Sequence, residues 1–165
     1  MEKEKPSLNK KMIVAGMYFC ALLMTTVYVS LRVMEYTKFK EIDISSYKNK
    51  TKQAICNIEN LTDSEYIIID GYCYLKNWNY SKIKYKLILQ DQKTEKCYEI
   101  PTMAVNRPDV MEKYSEIGFE KIGFSGRASK RAGKFGDNYY EILFAISKTG
   151  KNWYIVHSGQ YMGTN

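Results

Sequence analysis

The chain has 165 residues, enough for one folded domain with an appendage. At 45% hydrophobic residues it is too apolar to be a disordered protein. Its formal net charge of +7 suits anionic surroundings.

In chain order, residues 1–11 form a lysine-bearing tail expected on the cytoplasmic side, and residues 12–34 form a transmembrane anchor. The charge-free run "MIVAGMYFCALLMTTVYVSL", Met12 to Leu31, is helical length for roughly 30 Å, the thickness of a bilayer's hydrocarbon. A cleaved signal peptide would have a shorter apolar region and a small-x-small site, whereas this run leads straight into "RVMEYTKFKEI". Lys10 and Lys11 abut its N-terminal end and Arg32 competes at the other. The lysines tip the orientation toward a cytoplasmic N-terminus and an extracytoplasmic C-terminal domain.

Residues 35–50 read as a stalk that becomes the first strand, and residues 51–165 as the outer domain. The 15 tyrosines and many isoleucines of the chain favour strands, because flat and β-branched side chains fit a half-buried pleated surface. Strands are expected at 52–58, 65–75, 83–91, 96–105, 121–129, 138–147 and 152–159. Asp70 and Gly71 suggest a bulge or bend within the second of these, and Pro101 suggests an edge position for the fourth. Seven short strands with turn signals between them, and no alternating helices, predict a mainly β, antiparallel immunoglobulin-like sandwich.

The stretch "AVNRPDVMEKY", Ala104 to Tyr114, breaks the strand pattern. Pro108 suits the first position of a helix, and Asp109 then complements the positive end of the helix dipole. Val110, Tyr114 and Ile117 share one side of that helix, and Gly118 ends it. The helix is expected to carry the chain from one sheet to the other. Arg107 is expected to bridge to Asp109 or Asp70, or to point outward as a ligand group.

"IIIDGYCYL", "NRPDVMEKYSEIGFEKIGFSG" and "GDNYYEILFAISKTGKNWYIV" together resemble a small extracytoplasmic β-sandwich module of Gram-positive bacteria, through an RPDV-type corner and a "GF" strand. That module occurs fused to membrane glycosyltransferases and on single membrane anchors. This chain departs from its pattern at "GYC", where Gly-Trp-Ala is usual, and in a longer basic loop, "GRASKRAGKFGD". The resemblance implies a fold and an envelope setting linked to surface polysaccharide, and implies no reaction.

Chemical signatures are sparse. His157 is the sole histidine and sits on an apolar strand, so it reads as a packed or rim residue and not as a base. Cys56, Cys73, Cys97 and His157 lack the close ligand pairs of a structural zinc site, and no metal or cofactor is expected. An oxidising compartment permits one disulfide with one thiol left over, Cys56 and Cys73 being a possible pair on neighbouring strands; three buried free thiols fit the sequence equally. Phosphate-binding glycine loops are absent. Asn49, Asn60 and Asn79 head Asn-x-Ser/Thr triplets that mean nothing in a bacterium.

Two features are candidates for binding. Arg127, Lys130, Arg131 and Lys134 form a basic loop that would attract phosphate-bearing wall polymers or lipid head groups. Trp78, Tyr80 and Trp153 offer ring faces on which sugars stack. The expectation is a non-enzymatic, single-span interaction or accessory module with an envelope glycan or a membrane protein as partner, not nucleic acid. The rival expectation is a carbohydrate- or anionic-polymer-binding module.

Overall fold

The computed structural model describes residues 8–37, 39–76, 78, 83–114, 121–133 and 138–163. The chain divides into two compact units, Met1–Glu35 and Tyr36–Asn165.

The first unit holds all but the last two residues of helix α1, Leu8–Thr37. Its stretch Lys10–Met34 is long and apolar enough to cross a membrane, at about 37 Å of helical rise. Its described side chains are exposed throughout. The hydroxyls of Thr25 and Thr26 donate to the carbonyls of Ala21 and Leu22 at 2.9 and 2.8 Å, which satisfies them within the helix itself.

The second unit is mainly β. In chain order it contains β1 (Lys40–Ile42), β2 (Lys48–Asn49), a 3-10 turn (Thr51–Gln53), β3 (Ala54–Asp63), β4 (Tyr66–Leu75), β5 (Lys84–Asp91), β6 (Cys97–Ile100) and β7 (Thr102–Val105). Helix α2 (Pro108–Lys113), β8 (Gly123–Ser129), the short helix α3 (Lys130–Gly133), β9 (Tyr140–Ser147) and β10 (Tyr154–Met162) follow. Six strands form one sheet in the order β1-β6-β5-β9-β10-β2, and four form the other in the order β3-β4-β8-β7. All pairings are antiparallel except β10 with β2.

Alternation builds the core between the sheets. Ile67 and Ile69 of β4, Phe124 of β8, Leu87 and Leu89 of β5, and Ile142, Phe144 and Ile146 of β9 are all buried together. Phe124 meets Phe144 across the gap at 4.6 Å between ring centres. The sheets approach closely at Gly126, where an added Cβ would run into Leu87 Cδ1.

The outer face of the six-stranded sheet is covered as well, which is why every residue of β9 is buried. Ile88, Cys97, Leu143, Ala145 and Ile155 form a second apolar cluster there, with Ile42, Ile44, Tyr47 and Trp153 packed against it. The segment expected as a stalk that becomes the first strand thus supplies two short strands at opposite edges of one sheet, β1 beside β6 and β2 beside β10. Residues 43–47 join them as a strap over the apolar cluster.

Three local expectations need correction. The irregularity expected in the second strand lies on β3 instead, where the register shifts between Ile58 and Asn60 and Glu59 is the extra residue. Gly71 faces that bulge, and a Cβ on it would collide with the carbonyl oxygen of Asn57. The strand expected at 96–105 is two strands in two sheets, with Pro101 at the crossing, and β6 is not an edge because β1 pairs with it. Helix α2 does not carry the chain between sheets: β7 and β8 on either side of it are antiparallel neighbours. The rest of the expected helix, Ile117 and Gly118 included, lies outside the described residues.

Candidate functional site

A cluster of ionisable side chains around Arg107 lies on the outer face of the four-stranded sheet. Pro108 opens α2, and Arg107 precedes it with a non-helical backbone, φ −133° and ψ 71°. The Arg107 stem lies over β8 at Gly123, where an added Cβ would come within 2.6 Å of Arg107 Cγ. Its guanidinium lies over the Tyr72 ring of β4, 5.5 Å from the centroid. Beyond Tyr72 it reaches the β3 bulge, donating from Nη1 to Glu59 Oε2 at 2.5 Å and from Nη2 to Glu59 Oε1 at 2.9 Å. It also donates to Asp109 from Nε at 2.9 Å and from Nη2 at 2.6 Å.

One side chain therefore ties α2, β8, β4 and β3 together through two forked carboxylate pairs. Hydrogen bonding to Asp109, then to Glu59, holds the Arg107 proton more tightly than usual, and the same bond holds the Asp109 carboxyl below its ordinary range. Burial, then a hydrogen bond with Tyr114, pushes the Tyr72 hydroxyl up. Tyr114 also packs its ring against Tyr72 and Tyr74, at 6.4 and 5.9 Å. Of the expected partners of Arg107, Asp109 is found and Asp70 is not; Asp70 accepts from Asn60 Nδ2 at 3.1 Å. Glu59 was not foreseen, since its role depends on a bulge that no local sequence pattern marks.

The basic loop is partly neutralised within the domain. Lys130 pairs with Asp63, and Arg131 lies 3.4 Å from Glu65, both acids flanking the β3–β4 turn. Arg127 is exposed on β8 opposite Ile68, with no ion pair among the described residues. Lys134 lies outside the described residues, so the four basic residues are not seen as one cluster.

The tryptophans are half-buried with their rings engaged. Trp78 meets Tyr154 edge-on at 5.0 Å, and Lys148 Nζ lies 4.8 Å over its ring. Trp153 donates from Nε1 to the Gly150 carbonyl at 3.1 Å, stacks with Tyr47 at 6.1 Å, and carries Lys86 Nζ 4.8 Å over its ring. Trp78 packs against the core between the sheets and Trp153 against the cluster under the strap. They do not form one platform. Tyr80 lies outside the described residues.

His157 stands at the rim, as its sequence context predicts. Its Nδ1 is 3.1 Å from Glu141 Oε1, and its backbone N–H donates to Thr51 Oγ1 at 3.0 Å. It borders an open recess of about 550 Å³ lined by Asn49, Lys50, Thr51, Lys52 and Gln53. Among the described residues no serine, threonine or cysteine side chain is hydrogen-bonded to its ring, and the Ser158 hydroxyl accepts from the Gln160 N–H at 3.0 Å. Among the described residues no group of three or more His, Cys, Asp or Glu side chains is placed to hold a metal ion. Cys56 and Cys73, direct partners across β3 and β4, form a disulfide; Cys20 and Cys97 are free thiols. Burial, with the charge of Asp43 adding to it, pushes the Cys97 thiol up to about 11. No family model, no curated protein and no solved structure matches the chain.

Proposed function

We propose that this chain is a single-span membrane protein whose extracytoplasmic, immunoglobulin-like sandwich is a non-catalytic docking module for another envelope or membrane protein. One observation carries the reading. Among the described residues, Trp78, Trp153, Arg107, Lys130 and Arg131 are engaged inside the domain, whereas β7 stands at the edge of its sheet and exposes Met103, Ala104 and Val105. An open strand edge with apolar side chains suits an extended segment of a partner chain.

Other features support the setting. Apolar α1 suits an anchor, Lys10 and Lys11 favour a cytoplasmic N-terminus, and the Cys56–Cys73 disulfide suits an oxidising compartment. The orders β3-β4-β8-β7 and β6-β5-β9-β10, with chain crossings after β4, β6 and β8, follow the Greek-key plan of immunoglobulin-type sandwiches. Linkage to surface-polysaccharide assembly rests on the resemblance carried by "RPDV" and "GF" alone.

The test is cross-linking of the full-length protein in its native membranes, with Met103→Lys and Trp78→Ala variants. Loss of the cross-linked partner in Met103→Lys, with retention in Trp78→Ala, is the expected result. Binding to purified wall glycan that survives moderate salt and disappears in Trp78→Ala would overturn docking in favour of glycan recognition.

A further inference from the structure

The strap formed by residues 43–47 and its two short strands is attached differently from everything else in the domain. On one side β1 holds β6 through three residue pairs, with Ile42 directly opposite Cys97. On the other, β2 holds β10 through two pairs, and Lys48 and Lys50 donate to the carbonyls of Trp153 and Ile155 at 3.2 and 2.9 Å. Beyond the stacking of Tyr47 on Trp153, side-chain support is thin. Lys96 pairs with Glu41 at 3.1 Å with both side chains more than half exposed, and such pairs contribute little. Ile42, Ile44 and Tyr47 are only half-buried on the face they cover. Beneath them Ile88, Leu143 and Ala145 are completely buried, and Cys97 is 4% exposed.

We propose that the strap is a lid that opens as a unit while both sheets stay folded, uncovering the apolar face of β5, β9 and β10 together with the Cys97 thiol. Local opening of this kind belongs to segments with few buried contacts and short pairings. The charge of Asp43, which rides on the strap, is one of the causes that keep the Cys97 proton in place, so opening removes both the cover and that charge. The inference does not depend on the docking function proposed above.

Cys97 is a built-in reporter. In the full-length chain in micelles, with Cys20→Ser and the Cys56–Cys73 disulfide intact, Cys97 is the one reactive thiol left. Its reaction with Ellman's reagent is followed across urea concentrations too low to unfold the domain. Strap opening predicts a labelling rate that depends on urea far more weakly than global unfolding does. Ile44→Ala should raise the rate about tenfold. Ile69→Val, between the sheets and away from the strap, should leave it unchanged while lowering the global urea midpoint. Labelling with the urea dependence of global unfolding, or accelerated by Ile69→Val as much as by Ile44→Ala, would overturn the proposal. The urea dependence decides the matter with the native strap even if Ile44→Ala fails to fold.

Discussion

Replacing Arg107 by alanine tests whether the residue is architecture or a ligand group. The Arg107 side chain is 19% exposed and that of Glu59 39%, so their forked pair is partly screened and should contribute about 1 kcal/mol. The guanidinium over Tyr72 adds about 0.5 to 1 kcal/mol. The stem packed over Gly123 adds on the order of 1 to 2 kcal/mol through its methylenes. Asp109 is more exposed and adds only a screened contribution. Arg107→Ala should therefore destabilise the sandwich by about 3 kcal/mol, lowering the urea midpoint of tryptophan fluorescence without changing its slope. Arg107→Lys keeps the charge and loses the fork, and should recover less than half of that. In 1 M salt the gap between Arg107→Met, which keeps most of the stem, and the native chain should narrow. A loss under about 1 kcal/mol in Arg107→Ala would refute the clamp and return Arg107 to the list of ligand groups.

Three further outcomes follow from the geometry. Asp91 is buried, yet the N–H groups of Lys93 and Thr94 and the Asn138 amide outweigh burial and hold its carboxyl below the ordinary value. Its stabilising contribution is therefore complete above the ordinary carboxylate value and is lost as the pH falls through the lower folded value; acid titration of the urea midpoint should show this, and Asp91→Ala should flatten the curve and cost about 2 to 3 kcal/mol at neutral pH. Gly71→Ala should cost about 2 to 3 kcal/mol by forcing β3 and β4 apart at the Glu59 bulge, read as a lowered thermal midpoint. Reducing the Cys56–Cys73 disulfide, which closes a separation of 17 residues, should cost about 3 kcal/mol and shift the urea midpoint accordingly.

What could be read from the sequence is local. Leu87 and Leu89 alternate along β5, Pro108 starts a helix, and the charge-free run at 12–31 makes α1, because each depends only on residues a few positions apart. What could not be read depends on distant partners. Glu59 meets Arg107 from 48 residues away, and His157 meets the Thr51 hydroxyl from 106. Pro101 looks like an edge signal because a proline lacks the ladder donor, but the same lack suits a step between sheets. The strap was hidden for a similar reason. "EIDISSYKN" reads as a stalk running into a single strand, and only pairing with β6 and β10 shows that its two ends join opposite edges of one sheet. The candidate binding residues were found by type, and type does not reveal that Lys86, Lys148, Asp63 and Glu65 already engage Trp153, Trp78, Lys130 and Arg131.

The parallel pairing of β2 with β10 joins Lys48 and Asn49 to Tyr154 and Ile155, nearly the first and the last strand residues of the domain. The larger sheet therefore cannot close until the C-terminal strand has left the ribosome and, if the domain is exported, cleared the translocation channel. Until then the apolar residues of β5 and β9 wait without their cover. Topologies with such distant pairings fold slowly and expose sticky surface while they do. Biogenesis of this protein is thus its period of greatest vulnerability, and a truncation of even the last strand should yield an aggregating or degraded product instead of a smaller folded one.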